Sequence, residues 1–211
     1  MAHLDLDEQE QLAQLKSWWA TYGNAIVIAL VLGSLAFSGW QGWRYWQDSQ
    51  AASASNLFEV LSKATQGADA KAVRDSSGEL LEKYPRTLYA AMGALSSAKY
   101  FFDKNDLKAA KAQLQWVIDN APADEFRDIA RLRLANVLLD EKAHDEALKV
   151  LQAQHGAAFE AQFAALRGDI LVAKGQAADA RSAYKFALEK AGEKDRAGRE
   201  SIQMRLDALG G

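Results

Sequence analysis

The stretch GDILVAKGQAADARSAYKFAL, residues 168–188, decides the fold of the larger part of this chain. Gly168 and Leu171 are a small and a large residue one helical turn apart. Lys174-Gly175 interrupts the pattern, and Ala180, Tyr184 and Ala187 then recur at helical spacing. This reads as two helices joined by a tight turn. Two stretches upstream keep the same character: Ala98 and Ala135 match Gly168, and Phe101 and Leu138 match Leu171. On the second helix Ala110, Ala147 and Ala180 correspond, as do Leu114, Leu151 and Tyr184, at offsets of thirty-seven and then thirty-three residues. A small residue on each helix lets two backbones approach, and the large neighbour fills the space beside the contact. One hairpin cannot bury its apolar face alone, whereas a row of them can.

The surrounding sequence agrees with an all-α reading. From Gln47 onward Ala, Leu, Lys, Glu and Gln dominate, with two prolines, Pro85 and Pro122, and no alternating run long enough for a sheet. Breaks fall at Gln66-Gly67-Ala68-Asp69, Tyr84-Pro85-Arg86-Thr87, Asp103-Lys104-Asn105-Asp106, Asn120-Ala121-Pro122, Glu141-Lys142-Ala143-His144, His155-Gly156, Lys174-Gly175 and Ala191-Gly192. They predict helices of about four turns each, paired as hairpins. Ser49 to Tyr84 reads as a further hairpin that fits the repeat only weakly. A charged final helix over Asp195 to Leu209, carrying Met204, Leu206 and Leu209, suits a terminal cap.

The small, large, Ala, aromatic, Ala pattern of residues 168–188 resembles a tetratricopeptide repeat, and Pro122 stands where such a repeat often places proline. The resemblance covers Thr87 to Ala191. Departures are visible: Val117 and Gln154 occupy the late small position held by Ala187, and the opening Trp is missing from all three units.

Ahead of the repeats lies AIVIALVLGSLAFSGW, residues 25–40, with no charged side chain. Trp18, Trp19 and Tyr22 flank it on one side, and Trp40, Trp43, Tyr45 and Trp46 on the other. A bilayer core about 30 Å thick needs roughly 20 apolar residues in a helix, and Trp and Tyr favour both headgroup levels. The expected organisation is therefore an acidic segment over 1–17, a membrane span over 18–46 and a repeat domain over 47–211. A buried helix of a soluble protein would seldom carry such aromatic belts. A cleavable signal peptide would start basic, whereas Asp5, Asp7, Glu8 and Glu10 stand here against Lys16. An uncleaved signal anchor is the better reading. Lys16 before the span and Arg44 after it leave orientation open.

The acidic start, the span with Arg44-Tyr45-Trp46 behind it, and the degenerate hairpins including Tyr84-Pro85-Arg86-Thr87 together resemble the YfgM family over nearly the whole chain. That resemblance implies an ancillary subunit of the Sec translocon in the inner membrane of Gram-negative bacteria. It also implies a cytoplasmic N-terminus, a periplasmic repeat domain, association with the periplasmic chaperone PpiD, and the handling of newly exported client polypeptides.

Enzymatic chemistry finds little support. There is no Cys, which excludes disulfides, thiolate catalysis and Cys-ligated metal sites, and no Gly-rich phosphate loop. The histidines are His3, His144 and His155; the last two read as a solvated turn residue and a residue at a helix end facing the dipole. Glu141, Asp145 and Glu146 read as a solvated turn and helix start. No metal and no cofactor is expected. A net charge of −3 argues against a nucleic-acid surface, and no polybasic stretch marks lipid headgroups.

Two surfaces remain. Ala25, Ala29 and Gly33 form one smooth stripe on which another membrane helix can pack, with Asn24 nearby. In the repeat alignment Lys99, Asn136 and Asp169 face the concave side, with Phe102, Leu139 and Val172 beside them, so polar and apolar ladders would hold a peptide. The plain alternative for the apolar set is inter-hairpin core. An interaction subunit at the translocon and a scaffold for envelope or division machinery use the same repeats, and composition does not separate them.

Overall fold

The computed structural model describes residues 6–192 and 194–210, with side chains from Glu10. His3, Asp5 and the side chains of Asp7 and Glu8 lie outside the described residues. Among the described residues there are nine α-helices and no strand: α1 (Leu6–Gln66), α2 (Ala70–Lys83), α3 (Leu88–Asp103), α4 (Leu107–Asn120), α5 (Asp124–Asp140), α6 (His144–Val150), α7 (Glu160–Ala173), α8 (Ala177–Lys190) and α9 (Arg196–Asp207). They form two compact units, one ending at Ser49 and the other beginning at Gln50.

The first unit is helical throughout its described length, and its apolar side chains are bare. Leu30 is 66% exposed and Leu35 65%, values that a core helix of a soluble protein does not reach. A helix this long and apolar is able to cross a membrane. Its aromatic belts are ordered by ring contacts, with centroids 5.8 Å apart for Trp18 and Tyr22 and 5.3 Å for Trp43 and Trp46. The Arg44 guanidinium lies 5.6 Å from the Trp40 ring.

The second unit is a row of hairpins whose register extends into the turns. Ala68, Asn105 and Lys142 adopt positive φ (55°, 61° and 61°), as does Gly175 (76°), at one equivalent position in the inner turns of four successive hairpins. The backbone bonds are the same in all four, and in the first the Asp69 N–H reaches the Ala64 carbonyl at 3.2 Å. Asp106, Ala143 and Gln176 donate N–H to the carbonyls of Phe101, Leu138 and Leu171 at 2.8, 2.8 and 2.9 Å. This closes each first helix in a left-handed cap. Asp69, Thr87, Asp106 and Asp195 then start helices by accepting backbone N–H groups from the first turn.

Packing follows the small positions. Ala98, Ala110, Ala135, Ala147, Ala180 and Gly168 are all buried, and the Tyr184 ring lies directly against Gly168. One core gathers Ala98, Leu114, Ala135, Leu138, Ala147 and Leu151. A second joins the end of α1 to α2, α3 and α4 through Ala54, Leu61, Val73, Leu80, Phe101 and Ala110. A third seats α9 on α7 and α8 through Ile202 and Leu206.

One expectation fails. The helix expected to run for about four turns toward His155 ends at Val150, as α6, after 7 residues. The cause lies on α5. Asp128, 1% exposed, accepts the Gly156 N–H at 2.9 Å and the Arg131 guanidinium at 2.8 Å, and Arg131 also donates to the Gln154 carbonyl at 3.3 Å. Backbone groups that another turn of helix would have paired are held by this buried carboxylate and its arginine instead. The chain then makes one short 3-10 turn, Ala157–Phe159, before α7.

Candidate functional site

The first helices α3, α5 and α7 succeed one another along one side of the repeat unit, and their spacing leaves two cavities. Between α3 and α5 lies a space of ≈ 280 Å³. The nearly buried Ala98, Leu114 and Val137 form its floor, Phe102 stands beside them at 38% exposure, and Lys99, Arg133 and Asn136 complete the lining. The second, ≈ 310 Å³, is bounded by α5, α7 and α9, and is lined among others by Asn136, Gln162, Asp169, Ser201 and Arg205.

The sequence-derived residues divide accordingly. Lys99, Phe102 and Asn136 are brought together in the first cavity, and Asn136 reaches the second, where Asp169 lies. Leu139 and Val172 line neither; Leu139 packs half-buried against the core and Val172 is exposed. Asp169 accepts the Tyr184 hydroxyl at 2.8 Å and the Arg205 guanidinium at 2.8 Å, so its charge is committed within the protein. Burial, reinforced by the adjacent Asp169 carboxylate, pushes the Tyr184 phenol well above its ordinary range. It stays neutral and acts as a donor.

Arg133 is the residue that sequence reasoning passed over. It precedes Asn136 by one helical turn, which puts both on one face of α5. Its guanidinium donates to the Leu95 carbonyl of α3 at 3.2 Å. Lys99 pairs with Asp103 on its own helix at 2.7 Å, and the Asn136 amide donates to the Leu132 carbonyl at 2.9 Å. The Asn136 side-chain oxygen is left to accept from a ligand.

The residues weighed for chemistry have structural work. His155 is not at a helix end: it lies five residues past α6, stacked on Phe163 with centroids 4.0 Å apart, its Nδ1 3.0 Å from the Ala153 carbonyl oxygen. His144 is the half-buried first residue of α6. Glu141 and Asp145 do more than face solvent, since they bind Lys111 of α4 and Lys174 after α7 at 2.6 and 2.5 Å and link neighbouring hairpins. Among the described residues no three His, Asp or Glu side chains are grouped to hold a metal. In the membrane-type helix Ala25 and Ala29 are exposed, and a Cβ added at Gly33 would meet nothing within 4 Å. A close-packed partner helix would find a smooth face there.

An N-terminal helix fit to cross a membrane, followed by hairpins in one register, defines a membrane-anchored tetratricopeptide repeat-like protein. Residues 16–211 match the family described as tetratricopeptide repeat-like domain. The chain is 32% identical over 205 residues to the ancillary SecYEG translocon subunit of Neisseria gonorrhoeae, covering 97% of this chain and 98% of that one. It is 31% identical to the proteins of the same name from Haemophilus influenzae and Escherichia coli, over 97% and 96% of this chain and 98% and 97% of theirs. The chain belongs to the family of ancillary SecYEG translocon subunits.

Proposed function

We propose that this chain is an accessory subunit of the Sec translocon, and that it acts by binding polypeptides and not by catalysis. The membrane helix holds it beside the translocon, with Ala25, Ala29 and Gly33 as the packing face. The repeat domain stands on the periplasmic side, where it meets emerging chains on the surface of α3, α5 and α7 and works with the chaperone PpiD. In this arrangement residues 1–17 are cytoplasmic, 18–46 cross the inner membrane and 47–211 form the repeat domain. The observation that carries the reading is the end-to-end likeness to the translocon subunits, which includes the apolar helix as well as the repeats.

The test is copurification of the affinity-tagged full chain from detergent-solubilised membranes. Translocon subunits should be retained, and Gly33→Leu should reduce them at matched expression, by an amount on the order of 1 kcal/mol for one close helix contact. Retention of division or envelope-assembly proteins in place of the translocon would replace this reading with the scaffold one.

A further inference from the structure

We infer that the cavity between α3 and α5 is a binding site for a polypeptide segment in which one large apolar side chain is flanked by carboxylates. The inference rests on the reading of the repeat domain as a receiver of polypeptides, and it names what this part of the surface selects.

Size comes first. At ≈ 280 Å³ the cavity falls below the ~300–1,000 Å³ of typical small-molecule sites, yet its floor is apolar, so it suits a single anchoring side chain. Phe102, 38% exposed beside that floor, offers a ring face to the anchor.

Charge comes second. The two ionisable residues that line the cavity, Lys99 and Arg133, are both cations. Arg133 gives one guanidinium nitrogen to the Leu95 carbonyl, and among the described residues it makes no ion pair, so most of its donors are open to a carboxylate. The carboxylate that Lys99 holds, Asp103, is itself half-exposed, and an exposed pair within one helix exchanges readily for an incoming anion. The neighbouring cavity offers the contrast. There Asp169 and Arg205 neutralise each other and the remaining ionisable residue, Asp195, is an acid that accepts the Gly198 N–H at 3.0 Å, so that cavity offers no cation to a carboxylate. Asn136 lines both, and its amide is placed to meet the backbone of a segment passing from one to the other.

The test uses the full chain in lipid nanodiscs and fluorescence anisotropy with labelled peptides of one length, in which a central Phe is flanked by Glu, by Gln or by Lys. The Glu-flanked peptide should bind at least ~10-fold more tightly than the Lys-flanked one. Arg133→Glu should invert that order, Arg133→Lys should restore it, and Phe102→Ala should weaken the Glu-flanked peptide about tenfold. Both side chains are exposed, and unchanged thermal melts confirm that the variants fold. Binding that ignores flanking charge, or a preference that Arg133→Glu leaves intact, overturns the inference. Photocrosslinks from Asn136 to exported chains separate the two levels: charge-blind binding with crosslinks retained sinks this inference alone, whereas loss of both sinks the receiver reading as well.

Discussion

Gly168→Ala should destabilise the repeat unit, although alanine is the better helix former. A Cβ built at Gly168 comes within 2.6 Å of Tyr184 Cδ1 and 2.9 Å of Cζ, where ordinary carbon contacts lie at about 3.5–4.0 Å. The ring has nowhere to go. It is 2% exposed, and its hydroxyl is held by Asp169 at 2.8 Å. Overpacking of this kind costs about 1–3 kcal/mol, and the gain in helix propensity returns about 1, so a net loss of about 1 kcal/mol is expected. Gly78 of α2 supplies the control, since a Cβ there meets nothing within 4 Å. Gly78→Ala should stabilise by about 0.5–1 kcal/mol. Urea denaturation of the compact unit from Gln50 onward, followed by circular dichroism, reads both changes as shifts of midpoint at constant slope. With Tyr184→Ala already in place, Gly168→Ala should change sign and stabilise. If Gly168→Ala stabilised the otherwise unaltered protein as Gly78→Ala does, the close approach of α7 and α8 through this glycine would be wrong.

Three further outcomes are expected. Asp128→Ala should cost about 3 kcal/mol by the same urea assay, because it strands the Gly156 N–H and the Arg131 guanidinium; a loss below about 1 would show that the turn after α6 is held by other contacts. Ala147→Leu should overpack the α5 to α6 contact by about 1–3 kcal/mol, while Lys99→Ala should change stability by less than about 0.5; the reverse order in melts would refute the repeat register. Acid should loosen the α4 end of its hairpin. The Ala109 N–H, with Arg74 adding to it, holds Asp106 below its ordinary 3.8. A carboxyl lowered on folding contributes stability above that value and loses it as pH falls through the folded value. Asp106→Asn should therefore flatten the stability profile between pH ~5 and ~2, which pH-dependent melts would show.

Much of the repeat was legible because its positions are set by local spacing. Ala98, Ala110, Ala135, Ala147, Gly168 and Ala180 lie at buried contacts, as their small size indicated. The first hairpin was obscured because it inverts the pattern. Leu61 fills the small position and Ser77 the large one, and Gly93 of α3 makes room, a Cβ there falling 3.1 Å from Leu61 Cδ2. The short α6 was hidden for a different reason. Its end is decided by Asp128, twenty-eight residues before Gly156, and helical periodicity carries no trace of such a long-range bond; Gln154 at a small position was the one local sign. Of the residues that the repeat alignment set on the concave side, Lys99, Phe102 and Asn136 line one cavity, whereas Asp169 is claimed by Tyr184 and Arg205, contacts that cross between helices and leave no mark on local spacing. Arg133 escaped because the alignment followed one column and not the neighbouring turn of the same face.

The central claim, that a translocon-anchored repeat domain meets exported chains on the side of α3, α5 and α7, is tested most directly by site-specific photocrosslinking in living cells. A photoreactive residue at Asn136 should capture translocating polypeptides and one at Gly33 should capture a translocon subunit, while one at the exposed Gln115 of α4 should capture neither. Capture at Gln115 with silence at Asn136 and Gly33 would contradict the account.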